Sequence, residues 1–349
     1  MHDDEAAFAE LVTRHRPEIQ LHCYRMLGSF HEAEDLAQET FLRAWRYRAD
    51  YRGPGTYRAW LYSIATRACL DVLKRHRRRQ VRTSLPDPSP EATTSYLAPT
   101  PPVAVPWLQP YPDHLLDEVV DRNAESGASP ASTVVARETV ELAFLAAVQH
   151  LPARQRAVLI LRDVLDWSAR ETASALGTSV PAVNSALQRA RPAVRQHLPS
   201  RRLDWTAPAN SSAGDRELVR RYIDAIERSD ATALAELLVA DARSSHQAGA
   251  GGHTGTEPAW YQGRGTLVAA WAPVMEGPAG GPSLRMLPVR ANRQPAVATY
   301  LRLPCQPDYM PFALAVLSLA NDRIAEVMAF RPEVFDAFGL PPRLGNDES

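Results

Sequence analysis

The chain has 349 residues, more than one typical hydrophobic core accommodates, so two or three domains are expected. Its formal net charge of -1 excludes a uniformly basic or uniformly acidic protein. The cations are nevertheless concentrated in one short run, Lys74, Arg75, Arg77, Arg78, Arg79 and Arg82. Binding partners therefore have to be sought region by region.

The spacing of the cysteines and the lengths of the apolar runs argue against two further classes of protein, those held together by disulfides or metal ions and those that cross a membrane. Cys23, Cys69 and Cys305 are far apart and lack CxxC or Cys/His spacing, so we expect no structural disulfide, metal site or cofactor. No apolar run approaches the roughly 20 residues that cross a bilayer. The acidic N-terminus MHDDEAAFAE is unlike a signal peptide. A cytoplasmic protein without membrane insertion is the expectation.

The first two predicted helices lie before residue 47. An apolar face extends from Phe8 to Leu27, and Pro17 is expected to interrupt it. The stretch from Asp35 to Trp45, DLAQETFLRAW, has apolar residues at helical spacing and leaves a polar face. That stripe comprises Leu36, Ala37, Thr40, Phe41, Ala44 and Trp45. An isolated amphipathic helix of this kind is usually an ordinary solvated surface helix.

The glycines and proline of RADYRGPGT predict a loop, and a helix is predicted from Tyr57 to about Arg79. This helix has a buried side, while aromatic and cationic residues could face a nucleic-acid strand. The candidates are Tyr57, Arg58, Trp60, Tyr62, Arg67, Lys74 and Arg75. Cations at a helix end also stabilise the helix dipole, so a solvated helix end explains the basic run equally well.

Residues 83–133 are predicted to be a linker, because nine of the 29 prolines lie between Pro86 and Pro112. Within it, PWLQPYPDHLLDE has apolar side chains that would be costly to leave in water. We expect this segment to dock onto the C-terminal domain or onto a partner protein, or to form a short helix that packs locally.

Residues 134–200 predict a second helical domain. Ser168 is a plausible N-cap, Gly177 ends that helix, and another helix begins near Pro181. Two short helices joined by a Gly-containing turn are typical of a helix-turn-helix, although a packed helical hairpin is the alternative. Polar side chains at this turn and on the second helix are Thr178, Ser179, Asn184, Ser185, Gln188, Arg189 and Arg191.

Together these segments resemble the extracytoplasmic-function (ECF) group of bacterial sigma factors of the sigma-70 family. DLAQETF, RAW, the segment YRAWLYSIATRACLDVLKRHRRR and the helix-turn-helix follow one another in the order of that family. The resemblance implies that residues 1–82 bind core RNA polymerase and the minus-ten element, and that residues 134–200 bind the minus-thirty-five element. It assigns the DNA contacts of the second domain to the polar side chains named above for the turn and the second helix. It assigns polymerase binding to the helix that carries Asp35, Gln38, Glu39, Phe41 and Arg43.

A tether at residues 201–214 precedes a predicted C-terminal domain at residues 215–340. Two amphipathic helices are predicted from Arg216 to Val239, and a third near Gly265 to Met275. Strands are predicted around Leu284–Val289, Ala296–Leu303, Phe312–Ala320 and Arg323–Phe330, with Asn321-Asp322 as a hairpin turn. Helices followed by a curved antiparallel sheet give an α+β unit.

The C-terminal domain resembles the SnoaL, ketosteroid-isomerase-like and nuclear transport factor 2 cone. The resemblance implies an apolar pocket, although ordinary core aromatics are the simpler interpretation. Pocket candidates are His246, Trp260, Tyr261, Trp271, Met286 and Tyr300. The fold class predicted for the whole chain is therefore multidomain, with two all-α domains and one α+β domain.

The leading hypothesis is a promoter-specificity subunit without covalent chemistry, regulated in cis by its C-terminal domain. Core polymerase and promoter DNA are the expected partners, and a small molecule or an anti-sigma protein could also bind. One alternative is an isomerase-like or cyclase-like C-terminal enzyme that uses Asp241, His246, Glu257 or Asp308. Another is a ligand-responsive repressor independent of polymerase, but that hypothesis leaves DLAQETFLRAW unexplained.

Overall fold

The computed structural model describes residues 2–51, 56–79, 105–125, 140–198, 213–253, 255–275, 282–320 and 322–345. Its described residues form two compact units, one holding residues 2–79 and 107–198 and the other Val105, Pro106 and residues 213–345. Part of the predicted RADYRGPGT loop, the basic run beyond Arg79, most of the Pro-rich linker and most of the second tether lie outside the described residues. Among the helices described, none is both long and apolar enough to cross a membrane.

Up to Glu125, the described residues of the first unit form four α-helices. They are α1 (His2–Leu27), α2 (Phe30–Arg46), α3 (Tyr57–Arg79) and α4 (Asp113–Glu125), with a short 3-10 turn at Arg48–Asp50. Helices α1, α2 and α3 pack on one another, and α4 lies along α1. The amphipathic spacing of α2 is confirmed, because Ala37, Thr40, Phe41 and Ala44 are all buried.

Helix α1 continues through Pro17, so the predicted interruption is wrong. A proline inside a helix cannot donate a backbone hydrogen bond to the residue four positions earlier, which here is Thr13. The guanidinium of Arg122, from α4, donates instead to the carbonyl oxygens of Thr13 and, at 3.1 Å, of Arg14. This side chain supplies the donor that Pro17 lacks.

The linker segment from Trp107 to Tyr111 packs on the turn between α1 and α2. The Tyr24 hydroxyl donates to the Gln109 carbonyl oxygen at 2.8 Å, and the Gln109 amide donates to the Gly28 carbonyl oxygen at 2.9 Å. Leu108 and Tyr111 are completely buried, and the Tyr111 ring lies 4.7 Å from that of Tyr24. The segment therefore packs locally within the first unit, so the alternative of local packing describes it better than docking onto the C-terminal domain or a partner.

The first unit ends with a second helical domain. Its helices are α5 (Leu142–Gln149), α6 (Ala153–Leu159), α7 (Ala169–Leu176) and α8 (Val180–His197), with one π-helical turn at Ile160–Val164. Ser168 caps α7 as predicted, since its hydroxyl accepts from the Glu171 amide while the Glu171 carboxylate accepts from the Ser168 amide. Gly177 ends α7 with φ of 60°, a conformation that favours glycine. Helices α7 and α8 form the predicted helix-turn-helix.

The described residues of the second unit form three α-helices, two short 3-10 turns near the C-terminal end and a six-stranded sheet. The helices are α9 (Ala213–Glu227), α10 (Ala231–Leu237) and α11 (Arg264–Met275). The strands are β1 (Leu238–His246), β2 (Ala259–Gln262), β3 (Ser283–Ala291), β4 (Gln294–Arg302), β5 (Met310–Ala320) and β6 (Arg323–Phe330). Their order in the sheet is β2-β1-β6-β5-β4-β3.

The predicted α+β architecture is confirmed, with two corrections. The sheet is mixed rather than purely antiparallel, because β1 pairs with β6 in the parallel direction. Strands β1 and β2 were not predicted. Strand β1 follows α10 directly and its sequence LVADARSSH is polar at several positions, so its burial depends on neighbouring strands that local periodicity does not reveal. The predicted Asn321-Asp322 turn is described only at Asp322, which has the expected positive φ of 57°.

Each face of the sheet has its own core. One cluster joins α9, α10 and α11 to the sheet through residues such as Leu237, Leu267 and Val297. The other joins β4 and β5 to the C-terminal segment through Tyr300, Leu314 and Phe335. The domain therefore has a hydrophobic core of its own.

Candidate functional site

The outer face of α2 is a mixed polar and apolar stripe. Asp35, Gln38, Leu42 and Arg46 are exposed and follow one another at three- and four-residue steps. Beside them Arg43 donates to the Glu39 carboxylate at 2.8 Å, across one helical turn. This α2 stripe brings together four of the five predicted polymerase-binding residues, Asp35, Gln38, Glu39 and Arg43.

Phe41 was predicted to bind polymerase, but the structure places it in the core with 6 % of its surface exposed. Its neighbour Leu42 is the exposed apolar residue, with 55 % exposed. The helical spacing of the sequence already indicates which of the two residues is exposed. Leu42 lies four residues after Gln38 and seven after Asp35 on the polar face, whereas Phe41 belongs to the buried stripe. We therefore assign Leu42, and not Phe41, to the candidate polymerase-binding surface.

Three aromatic rings meet where the loop after α2 enters α3. Ring centroids are 5.5 Å apart for Tyr51 and Tyr57, and 5.2 Å apart for Tyr51 and Trp60 and for Tyr57 and Trp60. All three residues of this aromatic trio are half-buried, which leaves ring surface available. Stacking on such rings stabilises unpaired bases regardless of sequence. The sequence analysis included Tyr57 and Trp60 but missed Tyr51, which lies in the loop outside any helical periodicity.

Tyr62, also predicted to bind DNA, is buried instead. Its hydroxyl donates to the Glu18 carboxylate at 3.1 Å, and Arg58 forms an ion pair with the same carboxylate at 2.6 Å. Burial acts to raise the pKa of Glu18, but the hydrogen bond from His15 and the charge of Arg58 outweigh it and hold the pKa below its ordinary value. Burial, followed by the charge of Glu18, raises the pKa of Tyr62. Tyr62 therefore holds α3 against α1, and Arg58 is partly occupied by its ion pair with Glu18.

The remaining cations of α3 have different surroundings. Lys74 and Arg75 are exposed, as a strand-binding track would require. Arg67 is exposed as a residue, but its Nε donates to the Ala175 carbonyl oxygen in α7 at 3.1 Å. The cationic track predicted on this helix is thus open at Lys74 and Arg75 and partly occupied at Arg67.

Helix α8 presents a row of exposed polar side chains, which we name the recognition row: Asn184, Ser185, Gln188 and Arg189. Its opposite side is buried, with Val183, Leu187 and Ala190 in the core of the domain. A second helix of a helix-turn-helix places such a row against base edges, where amides pair with adenine and arginine pairs with guanine. The predicted residues of α8 are therefore brought together on one face.

Two predicted DNA contacts near α8 already have partners. Ser179 caps the helix, because its hydroxyl accepts from the Ala182 amide at 3.3 Å. Arg191 makes a two-point contact with the Asp163 carboxylate at 2.8 and 2.9 Å, and this hydrogen bond raises its pKa. Thr178 is half-buried in the turn. The row from Asn184 to Arg189 is the more accessible part of the predicted set.

Comparison with known proteins gives two matching family models. Sigma-70 region 2 matches residues 11–79, and Sigma-70 region 4 matches residues 141–193. The ECF RNA polymerase sigma factor SigG of Mycobacterium tuberculosis is 42 % identical over 339 residues, covering 97 % of this chain and 85 % of SigG. The chain belongs to the ECF RNA polymerase sigma factors. Its function is to direct RNA polymerase to promoters, and the alternative of a polymerase-independent repressor is not favoured.

Two further comparisons place this sigma factor within the family. The sigma factor SigW of Bacillus subtilis is 28 % identical over 195 residues, which covers 56 % of this chain and 90 % of SigW. The crystal structure of the Mycobacterium tuberculosis ECF sigma factor SigJ has a TM-score of 0.55 at 20 % identity and covers 96 % of this chain and 99 % of SigJ. The SigJ fold therefore extends over the fused C-terminal domain, which confirms the predicted multidomain fold.

The predicted pocket residues of this sigma factor do not line one cavity. Tyr261, Trp271 and Met286 belong to the core beneath the helices, whereas Tyr300 lies in the cluster on the other sheet face and donates to the Pro341 carbonyl oxygen at 2.9 Å. Tyr300 is therefore removed from the candidate pocket, since residues on opposite faces of a sheet cannot share a cavity.

His246 and Trp260 are buried near one end of the sheet. His246 Nε2 lies 3.1 Å from the Ser244 hydroxyl, and burial lowers the pKa of His246 to about 4. Its ring is neutral at physiological pH and fits a core position. In the described part of the chain, no group of three or more His, Cys, Asp or Glu side chains is arranged to hold a metal ion.

A buried histidine in region 2 predicts acid sensitivity. His22 is fully buried with Nε2 2.9 Å from the Thr66 hydroxyl, and burial, assisted by the charge of Arg25, lowers its pKa to about 3. Below pH 6.5 the unfolded chain binds a proton that the folded chain excludes, so stability falls as the pH falls toward 3. From pH 7 to pH 5 the expected loss due to His22 is about 2 kcal/mol.

Denaturant unfolding of the full chain at a series of pH values tests this prediction. The variant His22→Gln should lose about 2 kcal/mol less than the unaltered chain between pH 7 and pH 5. Because His150 and His246 have pKa values lowered in the same direction, part of the acid sensitivity should remain in the variant. Identical pH slopes for the two proteins would contradict the assignment.

Proposed function

We propose that this sigma factor uses three surfaces of its first unit for three binding tasks. The α2 stripe binds core RNA polymerase, the aromatic trio with Lys74 and Arg75 binds the opened minus-ten element, and the recognition row binds the minus-thirty-five element. The observation that carries the proposal is the recognition row itself, an open polar face on the second helix of a helix-turn-helix. We propose residues 1–82 and 134–200 as the limits of the two domains that carry these surfaces, and residues 215–340 as the limits of the C-terminal domain.

The recognition row is tested by Arg189→Ala. Promoter binding by the holoenzyme is expected to weaken by about 1 to 3 kcal/mol, and discrimination at one base of the minus-thirty-five element should be lost. The measurement is the affinity for the promoter and for variants with single base changes. Arg221→Ala, which removes an exposed arginine from the second unit, serves as the charge-matched control. An unchanged footprint with unchanged transcription would exclude Arg189 as a contact.

We propose that the aromatic trio receives a base released from the duplex. Extruding a base costs a few kcal/mol, and stacking on aromatic rings returns part of that cost. The trio lies at the entry to α3, and the exposed cations Lys74 and Arg75 follow on the same helix. Two of the three rings and both cations therefore lie on α3, so rings for a base and cations for phosphates are joined by one helix, as melting of a promoter requires.

We propose that the C-terminal domain modulates transcription in cis and does no covalent chemistry. The four residues considered for catalysis are not arranged as an acid-base site: Asp241 and Glu257 are exposed, Asp308 is paired with Arg343 at 3.3 Å, and His246 is buried. Within the second unit, the side-chain Nε2 of Gln247 donates to the Val105 carbonyl oxygen at 3.5 Å, and Val105 is buried. The linker is thus held by the C-terminal domain only two residues before Trp107 enters the first unit.

This arrangement supports cis regulation because a change at the Gln247 contact would act directly on the linker. Comparing transcription by the full chain and by a chain ending at Leu198 gives the sign of the effect. Equal activity of the two proteins on every promoter would reject the regulatory role. Binding of a small-molecule ligand or of an anti-sigma protein to this sigma factor is likewise a proposal. Since RNA polymerase and chromosomal DNA are its targets, we place the protein in the cytoplasm.

A further inference from the structure

Four polar side chains meet at the end of the sheet where β3 begins and β4 ends. Ser283 of β3 lies directly opposite Arg302 of β4, and Arg285 lies opposite Tyr300. Residues opposite each other in antiparallel strands share one face of the sheet, as do residues two apart along a strand. Tyr300 and Tyr309 belong to the cluster on the face away from α9, α10 and α11. That face therefore carries Ser283, Arg285, Arg302 and Tyr309, which we name the arginine-tyrosine cluster.

Hydrogen bonds and charge connect the members of this cluster. The Arg302 Nε donates to the Ser283 hydroxyl at 3.2 Å, and that hydroxyl donates to the Tyr309 hydroxyl oxygen at 3.3 Å. The guanidinium carbons of Arg302 and Arg285 lie 4.7 and 5.8 Å from the centroid of the Tyr309 ring. Burial acts to raise the pKa of Tyr309, but hydrogen bonds from Ser283 and Arg285 and the charges of both arginines outweigh it and lower the pKa. Two cations are thus held beside one phenol.

Arg285 and Tyr309 are hydrogen-bond donors for which the described residues supply no anion. In the described part of the chain no carboxylate pairs with Arg285, and the nearby Asp308 is paired with Arg343 at 3.3 Å. The Tyr309 hydroxyl oxygen accepts from Ser283, while its own proton has no acceptor among the described residues. A guanidinium has donors and no acceptor. A ligand with several negatively charged oxygens would therefore complete the hydrogen bonding of the cluster.

The charge and the donors of the cluster match a phosphate group better than a carboxylate. A phosphate monoester carries a charge of about −1.5 to −2 at neutral pH and three strong acceptor oxygens. A carboxylate carries one negative charge on two oxygens. Guanidinium groups bind phosphate through paired, charge-assisted hydrogen bonds. Two guanidinium groups and one phenol therefore correspond to the charge and the three oxygens of a phosphate monoester.

The sequence beside the cluster argues against the backbone of a nucleic acid as the source of this phosphate. A duplex is bound through many phosphates, each neutralised by a lysine or an arginine. The segment that joins β4 to β5, LPCQPD from Leu303 to Asp308, contains no cation. A small phosphorylated molecule needs only one binding position, and it fits the cluster better.

We propose that the arginine-tyrosine cluster binds the phosphate group of a small phosphorylated molecule. Arg285 and Tyr309 donate to the phosphate oxygens, and Arg302 supplies the second positive charge. Tyr309 and Leu344 exchange two backbone hydrogen bonds of 2.9 and 3.0 Å, so a ligand held at Tyr309 also stabilises the contact of the C-terminal segment with the sheet. The site lies on the sheet face opposite the helices and goes beyond the binding tasks proposed for the first unit.

Calorimetric titration of the full chain with inorganic phosphate, at constant ionic strength, tests the proposal. We expect a Kd of about 1 mM or tighter. Arg285→Ala should weaken binding about 10-fold or more, because a hydrogen bond to a charged group is lost. Tyr309→Phe keeps the ring and removes the donor, and it should weaken binding in the same direction. The matched control is Arg323→Ala, which removes an exposed arginine where β5 turns into β6 and should bind phosphate like the unaltered chain.

Urea unfolding separates binding from a role in supporting the sheet. Phosphate should raise the urea midpoint of the unaltered chain and of Arg323→Ala, and this increase should be lost in Arg285→Ala. A less stable Arg285→Ala, together with no effect of phosphate on the unaltered chain, would show that the cluster only supports the sheet and would overturn the proposal.

Two further ligands test the chemical class and the source of the phosphate. Acetate that bound as tightly as phosphate would contradict the assignment of a phosphate group. A duplex without promoter elements is the second ligand. If Arg285→Ala weakened duplex binding about 10-fold and left phosphate binding unchanged, the cluster would be a DNA contact and the proposal would fall. No polymerase or promoter enters these measurements, so their outcome is independent of the proposed function.

Discussion

The variant Leu42→Asp is expected to lower the affinity of the sigma factor for core RNA polymerase by about 30-fold or more. Leu42 is the apolar centre of the α2 stripe, with Asp35, Gln38 and Arg46 around it. Side chains at the fully desolvated centre of a protein interface cost about 2 kcal/mol or more when they are removed, and the proposal places Leu42 at that centre. An aspartate would in addition need desolvation. The measurement is equilibrium binding of labelled full chain to core polymerase.

Two comparisons make this prediction specific. Because Leu42 is 55 % exposed, the substitution should change the free energy of unfolding by no more than about 0.5 kcal/mol. Met310→Asp places the same charge at an apolar residue of the second unit that is 47 % exposed, and it should leave polymerase binding unchanged. Equal affinities for Leu42→Asp and the unaltered chain would exclude the α2 stripe as the polymerase surface.

The second large effect is expected for Trp60→Ala, which removes one ring of the aromatic trio. Stacking of a base on an aromatic side chain contributes about 1 to 3 kcal/mol, so the affinity for the single non-template strand of the minus-ten element should fall about 5- to 150-fold. Open-complex formation on duplex promoters should fall with it. Holoenzyme binding to the single strand and permanganate footprinting of the duplex measure the two effects.

Tyr57→Phe is the matched control for the aromatic trio. The substitution keeps the ring that lies 5.2 Å from Trp60 and removes only a hydroxyl that is buried without a hydrogen-bond partner among the described residues. Strand binding should therefore stay within about twofold, because the stacking surface is unchanged. If Trp60→Ala bound the single strand as well as Tyr57→Phe, the trio would have no role in capturing a base.

The helical framework could be predicted from local sequence, because its determinants are local. Ser168, Gly177 and the apolar spacing of α8 define a helix-turn-helix without reference to any other segment. The four C-terminal strands alternate strongly enough to be recognised as well. Strand β1 was missed because its burial comes from pairing with β6, some eighty residues later in the chain.

The candidate site was predictable only where exposure follows from periodicity. Asp35, Gln38 and the recognition row were placed correctly on open faces, whereas Tyr62 was misassigned because its partner Glu18 lies 44 residues earlier. Pro17 was expected to interrupt α1 because the compensating Arg122 is more than a hundred residues away. The buried guanidinium of Arg156 donates to the carbonyl oxygen of Met26, 130 residues earlier, and no local pattern contains that contact.

The most direct test of the central claim is in vitro transcription with the full chain, core RNA polymerase and a library of promoter sequences. We expect the reconstituted enzyme to initiate from a subset of the library that shares bases at the minus-ten and minus-thirty-five positions, and core polymerase alone to show no such selection. Absence of both core binding and selective initiation would contradict the account.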